Sequence, residues 1–226
     1  MPELDHIVQV VSDLDLAAEE YRKAGFLVTP RSDHPFGTSN RLVVLEGSYL
    51  EIVAVTRPDR IEGQFAARVA ESGPGTAPFL VIRTADPEAE HRRLIQAGLA
   101  VGDPMRFERT AVGADGSTRR AAFTVVFGPP GVFFCHHHTP EAVWQPGWTN
   151  HLNGARAVLG LEVVSPYGTD VWERMVGSSA DDTVRLSGTE MTIVPGDDLR
   201  VTKCRIAARR SAEVIIGGLT IVLVPQ

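Results

Sequence analysis

The sequence predicts an α+β fold built from paired βαβββ modules and followed by a shorter, degenerate C-terminal copy. Three observations carry this. A β-branched run, "LDHIVQVV", leads into a segment with helical apolar spacing, "SDLDLAAEEYRKAGF". The same layout returns in "PFLVIRTADPEAEHRRLIQAGLAV", where Ala97-Gly98-Leu99 matches Ala24-Gly25-Phe26 and Asp86 falls opposite Asp13 without a gap. A fainter strand-helix-strand pattern then follows residue 153.

The first helix is expected to start at Ser12 as N-cap, to bury Leu14, Ala17, Ala18 and Tyr21, and to end at Gly25. "RLVVLEGSYLEIVAV" then reads as two apolar strands joined at Gly47-Ser48, the composition of a two-residue hairpin turn. "TRPDRIEGQFAARVAESGPGTAP" is a linker with a short helix, ended by Gly and Pro. In the second copy, strands follow around "RRAAFTVVFG" and "GVFFCHHH".

These signals divide the chain into a two-module domain over residues 1–142 (modules 1–56 and 77–139) and a degenerate βαββ-type domain over 153–226. The latter carries "ARAVLGLEVVS", "YGTDVWERMVG", "TVRLSGTEMTIVP" and further strands to the end.

With 226 residues and 43% apolar content the chain can bury a substantial core. A net charge of -6 argues against nucleic-acid or anionic-membrane partners. No run approaches the ~20 apolar residues of a membrane span, and the N-terminus lacks a signal-peptide pattern, so a cytoplasmic location is expected by default. Two cysteines, Cys135 and Cys204, make neither a disulfide framework nor a CxxC zinc site. The glycine pairs lack the lysine or helix start of a phosphate loop, so no nucleotide cofactor is expected.

"LDHIVQVVSDLDLAAEEYRKAGF", "HPFGTSNRLVVLEGSYLEIVAV" and "FFCHHHTPEAVW" with "HLNGA" resemble the glyoxalase-like branch of the vicinal oxygen chelate superfamily, over about the first 155 residues. The resemblance implies that the modules curl into an open, curved barrel whose first and last strands supply metal ligands. It places a histidine ligand at His6 and a glutamate at Glu51. The residues support attention there, because a carboxylate amid apolar strand residues costs roughly several kcal/mol unless it is paired, hydrogen-bonded or metal-bound. A buried neutral imidazole would equally explain His6, and a buried ion pair Glu51. Module two departs from the pattern, since the repeat sets Phe79 opposite His6.

The last corner is "GVFFCHHH". Strand alternation sends either Cys135 and His137, or Phe134, His136 and His138, into the cavity. Matching Gly47 to Gly131 favours the first set and matching Thr56 to Thr139 the second; the first is preferred. His6, Glu51 and His137 would then hold a divalent Fe, Mn, Zn or Ni ion with positions open for a substrate bearing vicinal oxygens.

The resemblance also sets "HPFGTSN" beside the cavity, making His34 a catalytic and Asn40 and Thr38 substrate-binding candidates, although Thr38 and Asn40 would also serve as turn-forming residues. Trp144 and His151 are candidates for a pocket wall, with interdomain packing as the alternative. The function expected is a metal-dependent lyase, isomerase or dioxygenase acting on a small molecule, with Glu51 doubling as proton-transfer base. The alternatives are a metal-free drug-sequestering protein of the bleomycin-resistance type, and a metal-free enzyme using His34 and His137 as acid and base. Such modules commonly pair between chains, so a homodimer stays open.

Overall fold

The computed structural model describes residues 1–177, 179–180 and 182–226. Strand β1 (Glu3–Val10) leads into helix α1 (Leu14–Lys23), whose Leu14, Ala17, Ala18 and Tyr21 form one buried face. The N-cap is Asp13 rather than Ser12. Its carboxylate accepts hydrogen bonds from the backbone N–H of Asp15 and Leu16 at 2.8 and 3.0 Å. An anionic acceptor next to the first turn also complements the helix dipole. Asp86 plays the same part for the third helix, accepting from Ala89 N–H at 3.0 Å. The two aspartates aligned by the repeat are therefore both helix caps.

After α1 come β2 (Ser32–Asp33), β3 (Thr38–Val44) and β4 (Tyr49–Val55). The β3–β4 turn closes with Leu45 N–H donating to Ser48 O at 2.9 Å. Its central pair is thus Glu46-Gly47, one residue earlier than expected, because Gly47 supplies the positive φ of +77°. The linker helix is α2 (Gly63–Ser72). The second module repeats the order as β5 (Thr76–Arg83), α3 (Pro87–Gln96), β6 (Met105–Val112), β7 (Thr118–Phe127) and β8 (Val132–His137).

These strands make one sheet in the order β2-β3-β4-β1-β5-β8-β7-β6. In each module the first and last strands run parallel, and β1 and β5 meet antiparallel with Ile7 opposite Leu80. That pair is the one the repeat alignment superposes, so the modules are related by a pseudo-two-fold through it. The far edges approach each other: Ser32 Oγ on β2 donates to the Thr110 carbonyl of β6 at 2.6 Å. The sheet is consequently a nearly closed curved barrel.

The C-terminal part consists of β9 (Val158–Ser165), α4 (Thr169–Val176), β10 (Ser179–Ala180), β11 (Thr183–Leu186), β12 (Thr189–Pro195), β13 (Arg200–Ala208), β14 (Ala212–Ile216) and β15 (Leu219–Pro225). Its sheet order, β10-β11-β12-β9-β13-β15-β14, mirrors the first sheet. The expected βαββ unit is one strand short: β10 completes a third βαβββ unit, and a helix-less group of three strands follows. A two-residue strand carries no periodicity for a sequence reading to detect.

Alternation divides the first sheet into two faces. Outward-pointing Ile7, Leu50, Leu80, Ile82 and Phe134 join the buried face of α1, Trp172 and Met175 of α4, and Leu161, Cys204 and Ile206 of the second sheet in one continuous core. The buried Gln9 accepts from the Tyr21 hydroxyl at 2.7 Å and donates to the Gly217 carbonyl at 3.0 Å, tying the two sheets. Arg93 of α3 donates to the Arg174 and Met175 carbonyls, satisfying the C-terminal end of α4. Among the described residues no helix is long and apolar enough to cross a membrane. The inward face of the first sheet encloses the site.

Candidate active site

Inside the barrel lies a cavity of about 60 Å³. Tyr49 and Glu51 reach it from β4, His6 from β1, Cys135 and His137 from β8, and Arg109 from β6, with Phe107, Phe123, Phe127 and Phe133 as walls. On β8, Cys135 and His137 face inward, while Phe134 belongs to the outer core. His136 instead contacts the Thr84 carbonyl at 3.1 Å, and His138 the Thr124 hydroxyl at 2.8 Å. The parallel registers Leu50 beside Ile7 and Val132 beside Leu80 make Phe133, not Cys135, the structural counterpart of Glu51. The preferred register thus has the right face but is displaced by one pleat. Phe79 stacks on Phe65 of α2 at 5.1 Å and meets Phe133 edge-on, so aromatic packing fills the second module's half of the interior.

Glu51 is 7% exposed and lies between two imidazoles. Its Oε1 accepts from Asn40 Nδ2 at 2.5 Å and lies 3.6 Å from His34 Nε2. Its Oε2 lies 3.6 Å from His6 Nε2 and accepts no hydrogen bond from any described residue. The loop before β3 positions this group. His34 Nδ1 donates to Thr38 Oγ1 at 2.7 Å, and Asn40 Nδ2 lies 3.1 Å from His34 Nε2, which accepts. Burial pushes His34 down to about 4, with Arg109 adding to the shift and Glu51 opposing it. His34 is therefore a neutral imidazole with both nitrogens engaged. Asn40 Oδ1 is buried without a partner among the described residues.

Sequence reasoning missed Asp5. The ladder shifts between Leu4 and His6, a bulge that lets adjacent residues reach the same region. Asp5, fully buried, places Oδ1 2.6 Å from His6 Nδ1 and 3.0 Å from His137 Nε2, while Arg83 Nε donates to Oδ2 at 3.0 Å. Burial alone would raise this carboxyl, but the hydrogen bonds and charges of His137 and His6 outweigh it and hold it well below the usual carboxylate range. A carboxylate only accepts, so His6 presents an N–H at Nδ1 to Asp5 and turns its Nε2 toward Glu51.

Tyr49 stacks on His6 at 4.3 Å. Burial, with the charges of Asp5 and Glu51, raises its phenol far above the ordinary value, so the hydroxyl keeps its proton. Burial and the same carboxylates raise the Cys135 thiol likewise.

The other candidates take different places. Thr38 is fully buried behind His34 and does not line the cavity. Trp144 packs behind the lining, 5.0 Å from the His137 ring and 5.7 Å from that of Tyr49, with the Arg83 guanidinium 4.7 Å from its ring. His151 lies outside the cavity. Its Nδ1 accepts from Leu27 N–H at 2.9 Å and its Nε2 donates to the Val44 carbonyl at 2.8 Å, fastening the interdomain segment to module one.

The divalent metal implied by the resemblance does not fit His6, Glu51 and His137 as a set. His6 Nε2 and Glu51 Oε2 face each other, but Asp5 engages His137. Among the described residues, the trio whose donor atoms all lie within 4.8 Å of one another is Asp5, Cys135 and His137.

A family model described as "Glyoxalase-like domain" matches residues 4–176. No curated protein sequence matches the chain. A crystal structure of a hypothetical protein from Staphylococcus aureus is similar over 100% of both chains, with 15% identity and a TM-score of 0.79. A mutant 4-hydroxymandelate synthase from Streptomyces coelicolor has 13% identity and a TM-score of 0.53, over 92% of this chain and 72% of that one. Methylmalonyl-CoA epimerase from Mycobacterium tuberculosis has 22% identity and a TM-score of 0.42, over 60% of this chain and 86% of that one.

Proposed function

Because the chain belongs to the glyoxalase-like domain family, within the vicinal oxygen chelate superfamily, we propose that it is an enzyme moving a proton on a small carbonyl compound, with Glu51 as the base. The observation that carries this is the free Oε2 of Glu51. It is a carboxylate oxygen at the cavity surface, in a largely buried side chain fixed by Asn40 and facing His6 Nε2. At 3.6 Å that nitrogen is beyond hydrogen-bond reach, so Oε2 keeps its lone pairs for a substrate proton. In the reaction, Glu51 Oε2 takes hydrogen from the carbon beside a carbonyl. The C–H electron pair becomes a C=C bond, and the carbonyl pair moves onto oxygen. The protonated Tyr49 hydroxyl, which has no hydrogen-bond partner among the described residues, would donate to that oxygen. Return of the proton to the same or a neighbouring carbon completes an isomerisation or epimerisation.

The test is deuterium wash-in, followed by proton NMR, for a panel of small carbonyl compounds in heavy water. Exchange catalysed by the wild type supports the reading. Binding without exchange would favour the sequestering role instead.

A second reading is favoured by the Asp5, Cys135 and His137 trio. It would hold a divalent Fe, Mn, Zn or Ni ion beside the cavity, and such an ion would polarise substrate oxygens. Metal analysis of untagged protein tests this. Stoichiometric metal that disappears in Cys135→Ala supports the trio, and equal metal in both proteins rejects it.

A further inference from the structure

Among the described residues, Arg109 is the one arginine or lysine side chain that lines the cavity. It extends inward from β6 beside Phe107, and Nη1 donates to Ser32 Oγ at 3.1 Å. Ser32 Oγ is itself fixed on the Thr110 carbonyl, so the guanidinium is anchored on the seam where the barrel edges meet. No carboxylate among the described residues lies within 4 Å of it, Glu51 included, although both line the same cavity. An arginine has five N–H donors in a planar fork, and here one of its nitrogens has a protein partner. The cavity thus keeps one positive and one negative group apart among aromatic walls, and the guanidinium's other donors are left for a ligand.

We propose that Arg109 binds the carboxylate of a compact 2-oxo monocarboxylic acid, leaving carbon 3 of that acid for Glu51. This deepens, and rests on, the reading of the cavity as a proton-transfer site. A planar guanidinium matches a planar carboxylate with two parallel hydrogen bonds, and a single cation balances a single negative charge. The neutral state of His34 leaves that charge to Arg109. The phenylalanine walls accept the alkyl remainder. The step balances without a co-reactant. The proton of carbon 3 goes to Glu51 Oε2, its electron pair forms the bond between carbons 2 and 3, and the displaced carbonyl pair rests on the carbon-2 oxygen.

The experiment is isothermal titration of 2-oxobutanoate, its methyl ester and inorganic phosphate into the wild type, Arg109→Gln, Arg109→Lys and Glu51→Gln. The acid is expected to bind the wild type, and to bind Glu51→Gln at least as tightly because a negative charge has left the cavity, so binding persists even where proton transfer is lost. Arg109→Gln should weaken it about tenfold to hundredfold, as expected for a lost charge-assisted pair, and Arg109→Lys should fall between. The ester should bind the wild type as poorly as the acid binds Arg109→Gln, an arm that needs no variant to fold. The proposal is overturned by an ester that binds as well as the acid, by unchanged binding in Arg109→Gln, by phosphate displacing the acid, or by no binding of the acid to the wild type.

Discussion

Asp5 Oδ1 lies 2.6 Å from His6 Nδ1, and this contact fixes Nδ1 as an N–H donor and aims Nε2 at Glu51. The same oxygen accepts from His137, and its partner oxygen from Arg83, so one buried carboxylate orders three side chains around the cavity floor.

Removing that carboxylate leaves Arg83 and two imidazoles without their acceptor. Asp5→Ala should lose about 3–5 kcal/mol of stability, the range for one partner of a buried ion pair. Urea denaturation measures the loss. Nitrogen-15 NMR of the imidazoles should show the His6 Nδ1 no longer held as a hydrogen-bond donor, and an unchanged Nδ1 signal would contradict the assigned role.

His34 gives a pH dependence of defined sign. Its ordinary value is 6.5 and the folded value about 4, so the unfolded chain takes up a proton that the folded chain refuses. Its contribution is fully present above about 6.5 and is lost as pH falls toward 4, a change of about 3 kcal/mol over the window. Urea midpoints measured from pH 7.5 to 4.5 should fall less steeply in His34→Gln than in the wild type. Parallel slopes would show that His34 is not buried in neutral form.

Gly37 holds the loop that carries His34, Thr38 and Asn40. Its φ is +89°, and an added Cβ would meet the Arg60 and Arg57 carbonyl oxygens at 2.6 and 2.7 Å. Gly37→Ala should therefore cost about 2 kcal/mol or more, combining backbone strain with displaced carbonyls. Thermal melting measures the loss, and an unchanged midpoint would mean that this turn is not tightly held.

Much of this arrangement is legible in the sequence because it follows from periodicity. The face of α1 and the inward set of Cys135 and His137 depend on spacings of 3.6 and 2 residues, and the matched aspartates at 13 and 86 on the internal repeat. His6, His34, Asn40 and Glu51, each conspicuous as a polar residue in an apolar stretch or loop, stand close together in the structure. Asp5 was hidden because a bulge breaks the alternation that would have sent it outward. Arg109 was hidden because its role depends on closure between β2 and β6, a contact between segments far apart in the chain. His151 was misplaced for the opposite reason: a polar side chain near aromatic residues suggested a pocket wall, whereas its nitrogens are taken by backbone groups of module one.

The most direct test of the central claim is the rate of deuterium wash-in for a carbonyl compound that the wild type exchanges, measured again in Glu51→Gln with its fold verified by circular dichroism. Replacing the base with an isosteric amide should slow exchange at least about a hundredfold, the lower range for loss of a positioned general base. Exchange at the wild-type rate in Glu51→Gln would contradict the assignment of Glu51 as the group that takes the proton.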